Sequence, residues 1–124
     1  MLGSASPEAA RGPFAGVPFL FKDYRCREAG ERYQMGVRCL RELDYRPRTN
    51  SELALRFRAA GLIPIGRTNV PQMALMGTTE PELHGPTHNP WDAERTPGGS
   101  SGGPASSRPA AGSSRAPAPT RPSA

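Results

Sequence analysis

One lysine and one pair of serines are the residues of this chain best suited to chemistry. Lys22 is the only lysine, and every other basic residue except the two histidines is an arginine. An arginine keeps its proton, whereas a lysine placed against apolar walls can lose its proton near neutral pH and act as a base. Ser100 and Ser101 lie in the sequence GGSSGG, and a serine activated by a lysine is a known variant of the Ser-His-Asp triad.

Both features also have a plainer interpretation. Lys22 directly precedes Asp23, and a lysine at a strand end that pairs with a neighbouring carboxylate needs no catalytic role. GGSSGG has the composition of a flexible linker, although Trp91 and the prolines upstream argue against free flexibility. Glycines on both sides of the serines equally permit unusual backbone geometry and the close approach of another group. The residues by themselves leave both interpretations open.

Other kinds of site fit the sequence poorly. No lysine follows the glycines as a Walker A loop requires, and their spacing differs from the dinucleotide motif G-x-G-x-x-G. His84 and His88 are separated by Gly and Pro, so they would not share a helix face as a metal pair does. Cys26 and Cys39 lack zinc-site spacing and are expected to be free thiols, with Cys26 in the packing. We predict neither a metal site nor a cofactor.

Composition limits the core and the partners. With 14 glycines and 15 prolines among 124 residues, of which 35% are hydrophobic, we expect a small or incomplete domain. Part of the net charge of +5 comes from the arginines of residues 104–124, which include no acid, so a nucleic-acid partner is not predicted. Neither a secretory signal nor a membrane-length apolar stretch is present in the sequence, and we expect a cytoplasmic protein without a membrane partner.

A strand-helix-strand pattern is predicted to position the lysine. GVPFLFKD (16–23) and LIPIG (62–66) have the apolar character of buried strands, although Pro64 is typical of sheet edges and bulges. A helix is predicted between them, over residues 52–60, where apolar residues share one face. Such a pattern predicts an α/β fold with a parallel pair of strands.

The ends of the helices also carry signals. Thr49 and Glu52 have the spacing of a capping box, and Gly61 occupies the place of a left-handed C-cap. A second, short helix is predicted to begin at Pro71. Residues 78–103 are predicted to form a long loop, and a loop of that length usually has a function or lies against a larger body.

The chain divides into three zones. Residues 1–10 are predicted to be a flexible N-terminus. Residues 11–103 carry all the aromatic residues and nearly all the branched aliphatic ones. Residues 104–124 contain only Pro, Ala, Ser, Arg, Gly and Thr. Since such a composition cannot bury enough apolar surface to offset the chain entropy, a low-complexity, disordered tail is predicted from residue 104.

Three stretches resemble, in their order and approximate spacing, the amidase signature family. They are GPFAGVPFLFKD (12–23), AAGLIPIGRTNVPQ (59–72) and GTTEPELHGPTHNPWDAERTPGGSSGG (77–103). The resemblance covers about residues 11–103 and implies the N-terminal part of an amidase domain. It implies a hydrolase of small-molecule carboxylic amides, built as an α/β/α sandwich with a mixed central sheet, of which this chain would hold an incomplete part.

The resemblance also implies roles for individual residues within a Ser-Ser-Lys triad. Lys22 would be the base, and Ser100, held by an unusual cis peptide, would bridge that base to a nucleophilic serine. Residues that correspond to the acyl site would line a substrate pocket: Met73, Gly77, Thr78 and Thr79.

The sequence departs from the family after GGSSGG. Family members continue with an Ala-rich helix and a D-x-G-G-S segment that holds the nucleophile, and this sequence contains no D-x-G-G-S. The serines of residues 104–124 lack that glycine framing, so we expect a truncated chain that is inactive alone, and a shifted reading frame is one hypothesis for the change. The glutaminase component of a tRNA-dependent amidotransferase and a non-catalytic remnant stay open as alternatives. The amide substrate and the oligomeric state are not predicted.

Overall fold

A parallel pair of strands lies at the centre of the computed structural model, which describes residues 12–108. Strand β1 spans Pro18–Lys22 and strand β2 spans Ile63–Thr68. They pair in parallel from Pro18 opposite Ile63 to Lys22 opposite Thr68. The predicted α/β class and parallel pair are confirmed. Over residues 12–108 the sheet holds these two strands alone, so the mixed sheet and the three-layer sandwich stay predictions.

Pro64 lies at an irregularity in this sheet. Phe19 is opposite Pro64, and the next residue of β1, Leu20, is opposite Gly66, which leaves Ile65 as an extra residue in β2. A proline has no amide hydrogen to donate to the ladder, and bulges are among the few places where a sheet accepts one. The strand therefore continues past Pro64 and reaches Thr68, beyond its predicted end at residue 66.

Residues 12–108 also form three helices and one 3-10 turn. Helix α1 spans Arg38–Glu42, α2 spans Glu52–Ala59, the turn spans Gln72–Ala74 and α3 spans Gly102–Ser107. Of these described helices, α2 alone is longer than two turns. The structure therefore confirms the predicted strand-helix-strand order, and it adds α1 and α3, which the sequence did not indicate.

The two ends of α2 are closed in different ways. Ser51 is the N-cap, and its hydroxyl accepts a hydrogen bond from the Ala54 amide at 3.3 Å. The predicted capping box at Thr49 is therefore wrong, because the cap lies two residues further along. At the other end Gly61 has a φ of +93°, and its amide donates to the Arg58 carbonyl at 2.9 Å. The predicted C-terminal glycine is confirmed.

Two further predictions differ from the structure. The segment after Pro71 forms only a 3-10 turn, since Met73 and Ala74 both have positive φ and a helix cannot continue through them. The predicted disorder from residue 104 is wrong for residues 104–107, which lie in α3. The rest of that tail, residues 109–124, and the predicted flexible N-terminus lie outside the described residues.

The apolar core lies around β1. Phe21 is fully buried and clusters with Cys26 and Ala54 of α2, and the half-buried rings of Phe19 and Phe57 pack against this cluster. The centroids of the Phe19 and Phe57 rings are 4.9 Å apart. Because successive side chains of a strand point to opposite faces, burial of Phe21 in this core directs Lys22 away from it.

Two smaller observations concern the rest of the fold. Cys26 is buried and Cys39 is exposed, and both are free thiols, as predicted. In the part of the chain that the structure describes, no helix combines the length and the apolar character needed to span a membrane.

Candidate active site

Lys22 and the serine pair meet although they are 78 and 79 residues apart in sequence. Lys22 is the last residue of β1, and its ammonium donates hydrogen bonds to the hydroxyl of Ser100 at 3.0 Å and to that of Ser101 at 2.8 Å. Ser100 is half-buried and Ser101 is exposed. A base and a hydroxyl at this separation are within the reach needed for proton transfer.

The surroundings of Lys22 favour its neutral form. Partial burial lowers the pKa of the Lys22 ammonium from its ordinary value of 10.5, and the nearby Tyr24 has a weaker effect in the opposite direction. Burial acts this way because a charged ammonium loses favourable hydration when it leaves water. A lowered pKa raises the fraction of lysine that is free to accept a proton near neutral pH.

Asp23 has another partner and does not neutralise Lys22. Its carboxylate accepts hydrogen bonds from the amides of Gln34 at 3.2 Å and Met35 at 2.9 Å, and lies 3.6 Å from the guanidinium of Arg67. Within residues 12–108, Lys22 and Asp23 therefore do not form the strand-end pair that the sequence left open. No signal in the sequence pointed to Arg67, which reaches Asp23 from the neighbouring strand β2.

Burial also governs the ionisation of Asp23. The loss of hydration raises the pKa of this carboxyl, while the charge of Arg67 and the two amide hydrogen bonds act in the opposite direction. The side chain of Arg67 is itself largely buried and donates to the Cys26 carbonyl at 2.6 Å. This buried polar group lies beside the end of β1 and ties the turn at residues 34–35 to it.

The serine loop is packed against the protein, which argues against the linker interpretation. The peptide bond between Gly99 and Ser100 is cis. A Cβ atom placed on Gly99 would lie 2.6 Å from the carbonyl oxygen of Thr78, a distance that real Cβ atoms do not show. Glycine is therefore needed at residue 99 because the Thr78 backbone approaches so closely.

The residues proposed to line a substrate pocket lie in different environments. A cavity of about 350 Å³ adjoins this part of the chain and includes Thr78 in its wall. The other residues that line it are Pro71, Gln72, Met76, Glu80, Pro81 and Glu82. Met73 is exposed, and neither it nor Gly77 belongs to that wall. Thr79 is fully buried, so it cannot face a ligand in this structure.

The two histidines lie in the long loop, as expected. The Nδ1 atom of His88 is 3.2 Å from the carbonyl oxygen of Ala93. His84 lines a cavity of about 390 Å³ together with Asp23 and Arg67, and burial lowers the pKa of its imidazole. Among residues 12–108 no group of three or more His, Cys, Asp or Glu side chains could hold a metal ion.

Comparison with known proteins places this chain in a family. The family model described as Amidase matches residues 2–116. The chain is 43% identical over 104 residues to a 6-aminohexanoate-cyclic-dimer hydrolase of Paenarthrobacter ureafaciens, a match that covers 84% of this chain and 21% of the relative. It is 45% identical over 92 residues to a glutamyl-tRNA(Gln) amidotransferase subunit of Salinispora tropica, a match that covers 74% of this chain and 18% of the relative.

Solved structures agree with the sequence comparison. The structure of a 6-aminohexanoate cyclic dimer hydrolase complexed with substrate matches with a TM-score of 0.74 and 41% identity. That match covers 82% of this chain and 22% of the hydrolase. This chain thus spans about a fifth of the length of the curated relatives it matches. With a family model that matches most of its length and a similar fold at 41% identity, the chain belongs to the Amidase family.

Proposed function

We propose that this chain provides the lysine-serine part of a site that hydrolyses carboxylic amides. Lys22 is the general base, and Ser100 carries the proton between that base and a nucleophilic serine. The observation that supports the proposal most directly is the hydrogen bond of 3.0 Å between Lys22 Nζ and Ser100 Oγ. The lowered pKa of Lys22 supports it further, because a base must be unprotonated to begin the reaction.

In the proposed mechanism, the proton taken from the nucleophile in the first step is matched by the proton given to the leaving nitrogen in the second. The nucleophilic hydroxyl attacks the amide carbonyl while its proton moves to Ser100 and the Ser100 proton moves to neutral Lys22. The lysine, now an ammonium, returns a proton through Ser100 to the leaving nitrogen as the C–N bond breaks. An acyl ester of the nucleophile and a free amine result, and water then hydrolyses the ester.

The nucleophile is the part that this sequence does not supply. It contains no D-x-G-G-S segment, and Ser101, which also contacts Lys22, lies beside the proposed bridging serine. We propose that the purified chain is inactive alone, because a nucleophile and an oxyanion-binding group are both needed to form and stabilise the tetrahedral intermediate. The cavity that Thr78 lines is the proposed place for the acyl group.

A chimera tests the proposed roles of Lys22 and Ser100. Residues 12–108 replace the matching segment of the Paenarthrobacter hydrolase, which is 43% identical over 104 residues, and hydrolysis of the cyclic dimer is measured. We expect an active chimera in which Lys22→Ala and Ser100→Ala each lower kcat by about 10²- to 10⁴-fold, the usual contribution of a positioned base. Ser101→Ala should lower kcat less than Ser100→Ala does. Thr49→Ala, at an exposed residue, is the control substitution and should leave kcat unchanged.

Two results would contradict these roles. One is a folded Lys22→Ala chimera with the activity of the unsubstituted chimera. The other is a large loss for Ser101→Ala with a smaller loss for Ser100→Ala, which would exchange the two serines. Circular dichroism of each variant separates a catalytic loss from unfolding.

The purified chain tests the proposed inactivity. A fluorophosphonate that modifies activated serines should leave this chain unlabelled. Labelling that disappears in Lys22→Ala would show that the chain holds its own nucleophile and would overturn the proposal of inactivity.

The glutaminase component of an amidotransferase is the second candidate function. It is favoured by the similarity to several glutamyl-tRNA(Gln) amidotransferase subunits, at 42% to 45% identity. Such a component releases ammonia from glutamine and works with partner proteins, whereas a simple amidase needs none. A second chimera separates the two assignments: residues 12–108 replace the matching segment of the Salinispora protein in its complex, and glutamine hydrolysis is measured. The glutaminase assignment expects activity in this second chimera and no hydrolysis of the cyclic dimer by the first chimera. The simple amidase assignment does not expect that pair of results.

A further inference from the structure

Thr79 holds both ends of the serine loop through one hydroxyl group. Its Oγ1 donates a hydrogen bond to the Gly98 carbonyl at 3.0 Å and accepts one from the Gly102 amide at 3.1 Å. Gly98 precedes the serine pair by two residues, and Gly102 follows it directly. The side chain of Thr79 is fully buried; its bond with the Gly102 amide is buried and its bond with the Gly98 carbonyl is partly buried.

Thr79 is in turn connected to the end of the sheet. Its carbonyl accepts a hydrogen bond from the Thr87 amide at 2.9 Å. The hydroxyl of Thr87 accepts one from the side-chain amide of Asn69 at 2.9 Å. Asn69 is the residue after β2, and β2 pairs with β1, whose last residue is Lys22. A continuous set of hydrogen bonds therefore links the strand that holds the lysine to the loop that holds the serines.

Close packing leaves this connection little freedom. A Cβ atom on Gly102 would lie 2.5 Å from Thr79 Oγ1, and one on Gly99 would lie 2.6 Å from the Thr78 carbonyl oxygen. The loop therefore contacts residues 78–79 both before and after the two serines. Because both contacts involve loop backbone, a shift at Thr79 must move the serines.

We propose that Thr79 is a positioning residue, which holds Ser100 and Ser101 within hydrogen-bond distance of Lys22 and does not touch the substrate. This role differs from the pocket-lining role that the family resemblance implies for Thr79. Only the catalytic role of the two serines rests on the proposed function. The geometric part, that the Thr79 hydroxyl sets the distance from Lys22 to them, is independent of any activity.

The single lysine makes the geometric part measurable in the full chain. With lysine and serine isotopically labelled, nuclear Overhauser cross-peaks between Lys22 Hε and the serine Hβ protons report the contact without competing lysine signals. We expect these cross-peaks in the unsubstituted chain and in Thr79→Ser, which keeps the hydroxyl. We expect their loss in Thr79→Val, which keeps the shape and removes both hydrogen bonds. Thr49→Val, the same change at an exposed residue outside the serine loop, is the control and should keep them.

A loss confined to the site distinguishes positioning from unfolding. Cross-peaks between Leu20 and Gly66, which are paired across the two strands, should persist in Thr79→Val. Retention of the Lys22 to serine cross-peaks in folded Thr79→Val would overturn the proposal, as would their loss in Thr79→Ser. Their absence from the unsubstituted chain would contradict the site geometry and the proposal together.

If Thr79→Val does not fold, a second variant tests the proposal. Gly102→Ala keeps threonine at residue 79, but its added Cβ would clash with the Thr79 hydroxyl and force it apart from the loop, so the same loss of cross-peaks is expected. Cross-peaks of full intensity in Gly102→Ala would overturn the proposal. Failure of the proposed function would be seen separately, in a Lys22→Ala chimera that keeps its kcat, and would leave these NMR results unchanged.

Discussion

Lys22 and Asp23 are neighbours whose side chains serve different parts of the molecule. Lys22 donates to the two serines, and Asp23 binds the amides of residues 34–35 and lies near Arg67. Alternation along the end of a strand separates them. A buried acid therefore lies next to the proposed base without pairing with it. Burial disfavours the charged form of each group, so it lowers the pKa of Lys22 and raises the pKa of Asp23.

The ionisation of Asp23 gives a prediction about stability. Burial raises the pKa of this carboxyl, so the folded state keeps its proton to higher pH than the unfolded state. Its contribution to the free energy of unfolding therefore falls as the pH rises through that range. Asparagine does not titrate, so the stability deficit of Asp23→Asn relative to the unsubstituted chain should shrink between about pH 3 and about pH 7.

Urea unfolding of both proteins at the two pH values measures this difference. A deficit that grows with pH would mean that Arg67 and the two amides outweigh burial and lower the pKa of Asp23. That outcome would contradict the predicted direction.

At the scale of the elements, α2 depends on its capping serine. The Ser51 hydroxyl accepts from the Ala54 amide at 3.3 Å and also from the Arg27 amide at 3.1 Å. Loss of an N-cap costs about 0.5 to 2 kcal/mol, typically about 1 kcal/mol. We expect Ser51→Ala to lower the free energy of unfolding by about that amount, and Thr49→Ala, at an exposed residue, to change it by less than about 0.5 kcal/mol.

Chemical denaturation of the two variants distinguishes them. The Ser51 cap predicts the larger loss for Ser51→Ala. Equal losses, or a larger loss for Thr49→Ala, would favour the capping box that the T-x-x-E spacing indicated.

Local signals explain which elements the sequence could predict. The strands are short apolar runs, and α2 has apolar residues on one face and Gly61 after its end, and all three elements are found. Helix α1 has no buried residue and therefore no apolar period to detect. Helix α3 begins with two buried glycines in a stretch whose composition indicates disorder. Those glycines pack against Thr79 and Asn69, which are distant in sequence. Local sequence does not show such contacts, so it did not predict this helix.

The same limit applies to the candidate site. Lys22 was identifiable because it is the only lysine, and Ser100 because of its glycines and the family resemblance. The contact of Ser101 with Lys22 and the proximity of Arg67 to Asp23 depend on the loop path and on strand pairing. A contact between residues 79 positions apart has no signature in local spacing, so neither contact could be predicted from the sequence.

At the scale of the whole molecule, the core is small for the amount of apolar surface. Among residues 12–108, Phe21 is the largest fully buried side chain, while large apolar residues such as Leu43, Leu75 and Trp91 are more than two-thirds exposed, at 76%, 78% and 69%. The chain spans about a fifth of its curated relatives. A fold with few buried side chains should depend strongly on each of them.

Phe21 tests this dependence. Truncating a buried phenylalanine typically costs about 3 to 5 kcal/mol, which is a large part of the stability of an ordinary domain. We expect Phe21→Ala to abolish cooperative thermal unfolding, followed by circular dichroism. Phe14→Ala, at a ring that is 54% exposed, should leave a transition close to that of the unsubstituted chain. A cooperative transition of unchanged midpoint in Phe21→Ala would contradict the assignment of the core.

The pKa of Lys22 is the most direct test of its proposed role as a base. Because the chain has one lysine, selective ¹³Cε and ¹⁵Nζ labelling gives a single side-chain signal, and its chemical shift can be followed against pH. The proposed site predicts a midpoint below the ordinary lysine value of 10.5, with the folded state intact over the titration. A midpoint at or above 10.5 would contradict the proposal, because such a lysine would be held as a charged ammonium.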